Sequence, residues 1–318
     1  MQEIESLRTA FGGSVSTLYP GKVYRPWIPR RRLRKRQVQE WLELDRKVDL
    51  HHVVTDRPLG YSILKQLSRP VVSRLLTPSY DIATLSYLAS FGPIVVSAPA
   101  EVGRLKSDYD LQAESIPPGI DTDLLGRVPK PPEGPFTLLF ASAPWTRRQF
   151  ASKGLDALCL ALSERPELRL ILLGRGVLTT QIERRLGASG LAERTEFIKT
   201  TVVPHEVLAR VHATVLAPSS PRVVKAYPHS LLEALAAGRP VLTSPCLAVA
   251  DLVRDHGCGL VTDSAAGALG RGLDRLVADY PVYQDATERL DMSRFSIDRC
   301  IADYSELYQR TLEQHARS

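Results

Sequence analysis

The sequence predicts an α/β protein of two domains, each a parallel sheet covered by helices. Three observations predict it. From residue 135 onward, short apolar runs bounded by turn residues alternate with segments of helical periodicity, the order that βαβ units require. Before that point lie four more short runs rich in Val, Ile and Leu, at 14–19, 50–54, 71–73 and 93–96. The length, 318 residues, allows two cores of ordinary size, and 44% hydrophobic with 24% charged residues is the balance of a globular chain.

Residues 3–11 (EIESLRTAF) have the periodicity of an amphipathic helix, and the four early runs read as strands. In the second half, 136–140 (FTLLF) reads as a buried strand. The helix at 153–162 follows, with Leu155, Leu158, Cys159 and Leu162 spaced i, i+3, i+4, i+7. Residues 168–173 (LRLILL) form a strand closed by Gly174, then come a helix at 179–186 and a strand at 195–198. A helix at 205–212 precedes a strand at 214–217. The stretch PHSLLEALAAGRPVLTSP is read as a helix starting at Ser230 and stopping at Gly238-Arg239-Pro240. Ser230 and Glu233 have the S-x-x-E spacing of a capping box, and 241–243 is a strand. A helix at 248–256, a strand at 259–262 and further helices complete the chain.

Composition excludes several classes. No run approaches the roughly 18 apolar residues of a membrane span, and no secretory signal opens the chain. Cys159, Cys246, Cys258 and Cys300 are scattered, which favours a reduced cytosolic setting over a disulfide framework. The seven histidines show no metal-ligand spacing, so no metal cofactor is expected. The net charge of +6 is local: residues 22–47 hold ten Lys/Arg against three acids, leaving 31 bases and 32 acids elsewhere. This basic run, Arg30, Arg31, Arg32, Arg34, Lys35 and Arg36 with Trp27 and Trp41 nearby, has three readings. It is a patch for an anionic membrane surface or a charged acceptor, a solvated helix face, or a nucleic-acid arm; no recognition motif supports the last.

Four motifs in order carry a family resemblance: Ile116-Pro-Pro-Gly-Ile-Asp121, a basic loop ending in Lys153-Gly154, the strand ending at Gly174, and the helix at Ser230–Pro240. Together they resemble the family-4 retaining glycosyltransferases (glycosyl transferases group 1). The resemblance is close over 110–318 and loose before that. It implies the GT-B fold, two Rossmann-like domains facing across a cleft. Residues 1–115 would form an acceptor-side domain onto which a C-terminal helix at about 300–318 packs back, and 116–299 would bind the nucleotide sugar. It also implies a strand and glycine loop before the first helix, so the N-terminal domain reads as truncated, through a misassigned start or genuine loss.

The resemblance further implies site residues. Lys153 would grip the donor diphosphate together with Arg147 or Arg148, a helix N-terminus being suited to the same anion. His229, Ser230 and Leu231 would meet the diphosphate, Tyr227 would lie in the loop passing the transferred sugar, Glu233 would accept from the donor ribose, and Val202 would read the nucleobase. The family pairs two acids eight positions apart around this helix; here the first is Lys225. A lysine accepts no sugar hydroxyl but pairs with a diphosphate or a charged sugar. No histidine follows the strand at 70–76, and His51 and His52 read as packing residues. The expected activity is transfer of a sugar from a nucleotide-diphosphate donor to a glycan or lipid-linked acceptor in polysaccharide or glycoconjugate biosynthesis. The protein would be cytoplasmic, and peripheral on the inner membrane face. The alternative is a nucleotide-sugar-binding paralogue without catalysis.

Overall fold

The computed structural model describes residues 2–16, 30–55, 62–78, 80–131 and 133–317, and of residues 30–37 the backbone alone. The chain divides into two compact units, Met1–Gly119 with Ile297–Ser318, and Ile120–Ser296. The first contains α1 (Gln2–Phe11), α2 (Arg30–Asp45), β1 (His51–Thr55), β2 (Val71–Leu75), α3 (Ile82–Ala89), β3 (Ile94–Val96), α4 (Pro99–Tyr109) and β4 (Glu114–Ser115). The second begins with α5 (Thr122–Leu125), β5 (Thr137–Phe140), α6 (Gln149–Ser152), α7 (Leu155–Ser163), β6 (Arg169–Leu173), α8 (Thr179–Ala188) and β7 (Thr195–Ile198). It continues with α9 (Pro204–Leu208), β8 (Ala213–Leu216), α10 (His229–Ala236), β9 (Val241–Thr243), α11 (Val249–His256), β10 (Gly259–Val261), α12 (Ala266–Ala278) and α13 (Tyr280–Glu288). The last helix, α14 (Ile297–Ala316), returns to the first unit.

In the first unit β1 to β4 form a parallel sheet in sequence order, with His51 opposite Val71 and Ser73 opposite Ile94. The period-2 alternation of strand side chains sorts the core into two layers. Val71, Leu75, Ile94 and Val96 pack with Leu64, Leu85, Leu88 and Leu105, while Val72 and Val95 pack with Leu7, Ile116, Tyr304 and Leu307. The second layer contains a buried cation, Arg74, 1% exposed. Its Nη1 donates to the Ile116 carbonyl at 2.9 Å and to the Tyr304 hydroxyl at 2.7 Å, and its Nη2 lies 3.2 Å from a Glu3 carboxylate oxygen. His52 Nδ1 lies 2.7 Å from the Tyr308 hydroxyl; burial first, then the Arg74 charge, pushes its pKa down to about 3, so it is neutral. One polar network thus ties α1, β1, β2 and α14.

His51 is anchored differently, its Nε2 2.8 Å from Asp45 Oδ1. Asp45 also accepts from the Ser68 amide and hydroxyl and the Arg69 amide. Burial works against its charge, but the hydrogen bonds from Ser68, His51 and Arg69 outweigh it and hold the carboxyl well below the usual range. A depressed carboxyl stabilises the fold above its unfolded pKa of about 3.9 and loses that contribution as pH falls further. Asp45→Asn is therefore expected to lower stability at pH 7 and to flatten its decline between about pH 4 and pH 2, read from urea midpoints. An equally steep acid decline in the variant would count against this anchor.

Two expectations need correction. Residues 14–16, the described part of the strand read at 14–19, are irregular, because Gly12 and Gly13 just before them, at φ 73° and 95°, turn the chain and leave Val15 exposed; residues 17–19 lie outside the described residues, as does Trp27. The helix read at 205–212 is the shorter α9: beyond Leu208 the chain turns, and His212 Nδ1 accepts the Thr137 amide at the foot of β5. Helices α3 and α4 and strand β4 were not read from the sequence.

The second unit is a six-stranded parallel sheet in the order β10-β9-β8-β5-β6-β7. The chain runs outward from β5 through β6 to β7, then restarts beside β5 with β8 and runs the other way. Loops after β5 and after β8 therefore diverge above the sheet, which makes their gap the topological switch point where such sheets bind ligands. Gly154 holds the two loops together. It has φ 84°, and a Cβ there would lie 2.5 Å from the Ala217 carbonyl oxygen at the end of β8, so only glycine fits. The Ser219 amide also donates to the Ser152 carbonyl at 3.0 Å. Among the described residues no helix is long and apolar enough to cross a membrane.

Candidate active site at the switch point of the second sheet

Lys153 ends α6 and turns its side chain back under the loop that follows β5. Its Nζ donates to the Ala143 carbonyl at 3.0 Å, three residues beyond the end of the strand. The residue is 7% exposed, and no carboxylate among the described residues pairs with it. Burial pushes the ammonium down to about 8 from an ordinary 10.5. A desolvated cation with one neutral partner is costly unless an anion arrives to complete it.

Across the switch point stands α10, and its start differs from the sequence reading. The helix begins at His229, Pro228 is its N-cap with extended backbone (φ −66°, ψ 128°), and no side chain caps it. Proline fixes that φ and has no N–H to leave unsatisfied, so it takes the position that Ser230 was expected to hold. The Pro228 carbonyl accepts from the amides of Leu231 and Leu232 at 3.0 and 3.2 Å. The capping box is therefore not formed. Ser230 lies within the first turn, and Glu233 is two positions too deep to reach back to the cap. Its carboxylate is left for other work.

Glu233 is half-buried, and burial raises its pKa while the Lys225 charge pulls it back. Lys225, half-buried in the loop before α10, places Nζ 3.4 Å from His229 Nδ1. Lys225, His229 and Glu233 thus form one polar group around the first turn of α10. Tyr227 is buried and packs edge-on against Phe295 at 5.2 Å, and Leu231 is buried with its amide engaged by Pro228. Arg147 and Arg148 are both exposed in the turn between β5 and α6, neither paired with an acid among the described residues; Arg148 is also the N-cap of α6. Val202 is half-buried in the loop after β7, two strands from β5. The backbone of Arg30, Arg31, Arg32, Arg34, Lys35 and Arg36 is helical within α2, but their side chains lie outside the described residues.

The sequence reading missed residues on the other flank of Lys153. Trp145 packs over Gly176, in the loop after β6, and Arg175 Nη1 donates to Thr201 Oγ1 at 2.6 Å, tying that loop to the one after β7. The Gly174-Arg-Gly176 triplet at a strand end was the available signal. Among the described residues no group of three or more His, Cys, Asp or Glu side chains is placed to hold a metal ion.

Comparison with solved structures identifies the fold. The sucrose-phosphate synthase of Thermosynechococcus elongatus matches with a TM-score of 0.69 at 19% identity, over 91% of this chain and 81% of its own. A glycosyltransferase from Rickettsia africae ESF-5 matches at 0.70 and 14% identity, over 94% of this chain and 84% of that one. Anabaena HepE, in complex with UDP and glucose, matches at 0.66 and 17% identity, over 85% and 80% respectively. The class is thus the GT-B fold. No curated protein sequence matches the chain. The family described as "Glycosyl transferases group 1" matches residues 132–291, half of the chain. The chain belongs to that family and is a glycosyltransferase.

Proposed function

We propose that this glycosyltransferase is a family-4 retaining enzyme that moves a sugar from a nucleotide-diphosphate donor to a glycan or lipid-linked acceptor. The observation that carries the reading is Lys153, a buried ammonium whose counter-charge is supplied by no described carboxylate and whose one described partner is the Ala143 carbonyl in the loop after β5. A diphosphate supplies the missing anion. Its charge grows as the bond to the anomeric carbon breaks, and a fixed cation and helix N-terminus aimed there stabilise that growth without reorganisation. Arg147 and Arg148 add charge from the exposed turn, and Val202 lies in the loop that would read the nucleobase. The UDP and glucose held by Anabaena HepE favour the same donor class.

Glu233, free of capping, accepts from donor hydroxyls. Lys225 stands where the resemblance places an acid; it supports Glu233 as an anion and pairs with the diphosphate or with a charged donor sugar. As the diphosphate departs, the acceptor oxygen bonds the anomeric carbon on the same face and the acceptor proton leaves with the diphosphate. The reading needs no metal. The basic stretch 22–47 suits an anionic membrane on which lipid-linked acceptors lie, each base near such a surface contributing about 1 kcal/mol. Four free cysteines suit a reducing cytoplasm.

The test pairs donor screening with product stereochemistry. Thermal shift against nucleoside diphosphates and their sugars is expected to raise Tm for one base class, and proton NMR of the product to show the anomeric configuration of the donor. An inverted product removes the retaining assignment; no shift with any nucleoside diphosphate removes the donor class. A pH profile probes the α10 group. Because Lys225 holds Glu233 down against burial, Lys225→Met is expected to move the acid limb of kcat/KM to higher pH. An acid limb that stays in place would separate the two residues.

A further inference from the structure

Strand β10 is the last of the second sheet, and a groove of about 480 Å³ runs beside it. Its lining comes from α11, β10 and α12, with Pro245, Leu260 and Ala268 as apolar members. The Val241 amide donates to the Cys258 carbonyl and the Thr262 amide to the Thr243 carbonyl. Alternate residues of a parallel strand bond the same neighbour, so Val261, between these positions, turns its amide to the open edge. The two ends of the groove differ in charge. Arg254 lies in the last turn of α11, which leads into the foot of β10. Arg275 lies in the last turn of α12, which descends to the foot of the sheet, where Tyr280 packs on Phe136. Arg271 stands one turn before Arg275 on the same helix face. Thr262 and Asp263 lie at the other end, at the head of β10. The three arginines are weakly engaged. No acid among the described residues pairs with Arg271, while Arg254 and Arg275 meet only Asp251 at 2.8 Å and Asp279 at 3.6 Å, neighbours in sequence. Exposed pairs of that kind contribute little, so all three guanidiniums remain available to a better anion.

We propose that this groove is a second ligand site, for a hexose phosphate, with the phosphate held by Arg254, Arg271 and Arg275. Forked guanidinium donors suit the oxygens of a phosphate monoester, and three of them match its double charge. The Asp263 carboxylate repels an anion at the head of the groove, which leaves the phosphate to the basic foot. There it accepts sugar hydroxyls instead, as does Thr262, whose own hydroxyl proton is given to the Ala268 carbonyl at 3.1 Å. The three residues of β10 span about 10 Å, the length of a hexose with its phosphate. A volume of about 480 Å³ exceeds what inorganic phosphate fills and falls within the roughly 300–1,000 Å³ of small-molecule sites. An acidic peptide added as a further strand is disfavoured, because so short an edge offers it few backbone bonds. The groove lies two strands beyond β8, about 10 Å along the sheet from the switch point, so it does not depend on the donor reading.

Isothermal titration of the full-length chain tests this with glucose 1-phosphate, glucose 6-phosphate, glucose and inorganic phosphate. One of the hexose phosphates is expected to bind about tenfold or more tightly than inorganic phosphate, and glucose not to bind. Arg271→Gln is expected to weaken that hexose phosphate about tenfold, and Arg254→Gln with Arg275→Gln to weaken it further. Arg289→Gln, which removes an equally exposed charge from α13, and Lys153→Met are both expected to leave its affinity unchanged. Binding of neither hexose phosphate overturns the site. So does an equal loss in Arg289→Gln, which would make the attraction one of overall charge. A loss in Lys153→Met with none in Arg271→Gln would place the phosphate at the diphosphate site, and tighter binding of a hexaglutamate peptide would give the groove to an acidic chain; either result also overturns it. Failure of the donor reading shows separately, as absence of nucleoside diphosphate binding, and leaves this site standing.

Discussion

Replacing Lys153 with methionine is expected to lower kcat by about 100- to 1000-fold and, in the same variant, to raise Tm. The first effect follows from removing the cation proposed to meet the leaving diphosphate. The second follows from the residue's surroundings: an ammonium 7% exposed, with one carbonyl partner, is destabilising until its ligand arrives. Methionine fills the same space with no charge to desolvate, and each kcal/mol relieved shifts Tm by about 2–4 °C in a domain of this size. The sign with pH is fixed by the downward shift. Between about 8 and 10.5 the unfolded chain carries a proton on Lys153 that the folded chain has lost, so stability rises with pH through that window. Donor affinity moves oppositely, since an anion prefers the protonated lysine, and weakens as pH rises through 8. A variant that loses activity and also loses stability would make Lys153 a structural residue.

The second large effect belongs to the other unit. Arg74→Ala is expected to cost about 3–5 kcal/mol in urea unfolding, because it removes the cation beside the buried Glu3 carboxylate and the donor to the Tyr304 hydroxyl and the Ile116 carbonyl, in a layer otherwise built of Leu7, Val72, Val95 and Leu307. Removing one partner of a buried pair is worse than removing both, so Glu3→Gln added to Arg74→Met is expected to recover part of the loss. A loss below about 1 kcal/mol in the single alanine variant would show that α14 is held by apolar packing alone.

How much of this was legible depended on the range of the interaction. Strands β5, β6 and β9 were readable because buried parallel strands are short unbroken apolar runs, and α7 because its apolar positions repeat at helical spacing. Helix α4 hid behind an opening proline and an internal Gly103, and α3 behind a Thr- and Tyr-containing run of eight residues. The start of α10 was misread because the S-x-x-E spacing is local, whereas the cap was decided by the backbone of the preceding Pro228. At the site, Lys153-Gly154 could be picked out by motif. Trp145 could not, since what makes it notable is contact with Gly176, thirty-one positions along the chain. Arg74 was missed for the same reason: its partners lie on α1 and α14, at the two ends of the sequence.

The most direct measurement is proton uptake on binding uridine or guanosine diphosphate at pH 8.5, obtained by calorimetry in buffers of different ionisation enthalpy. With Lys153 seated against the diphosphate, the unmodified protein takes up a large fraction of one proton per ligand, and Lys153→Met takes up none while binding more weakly. Tight binding with no proton uptake, or equal uptake in both proteins, would contradict the account.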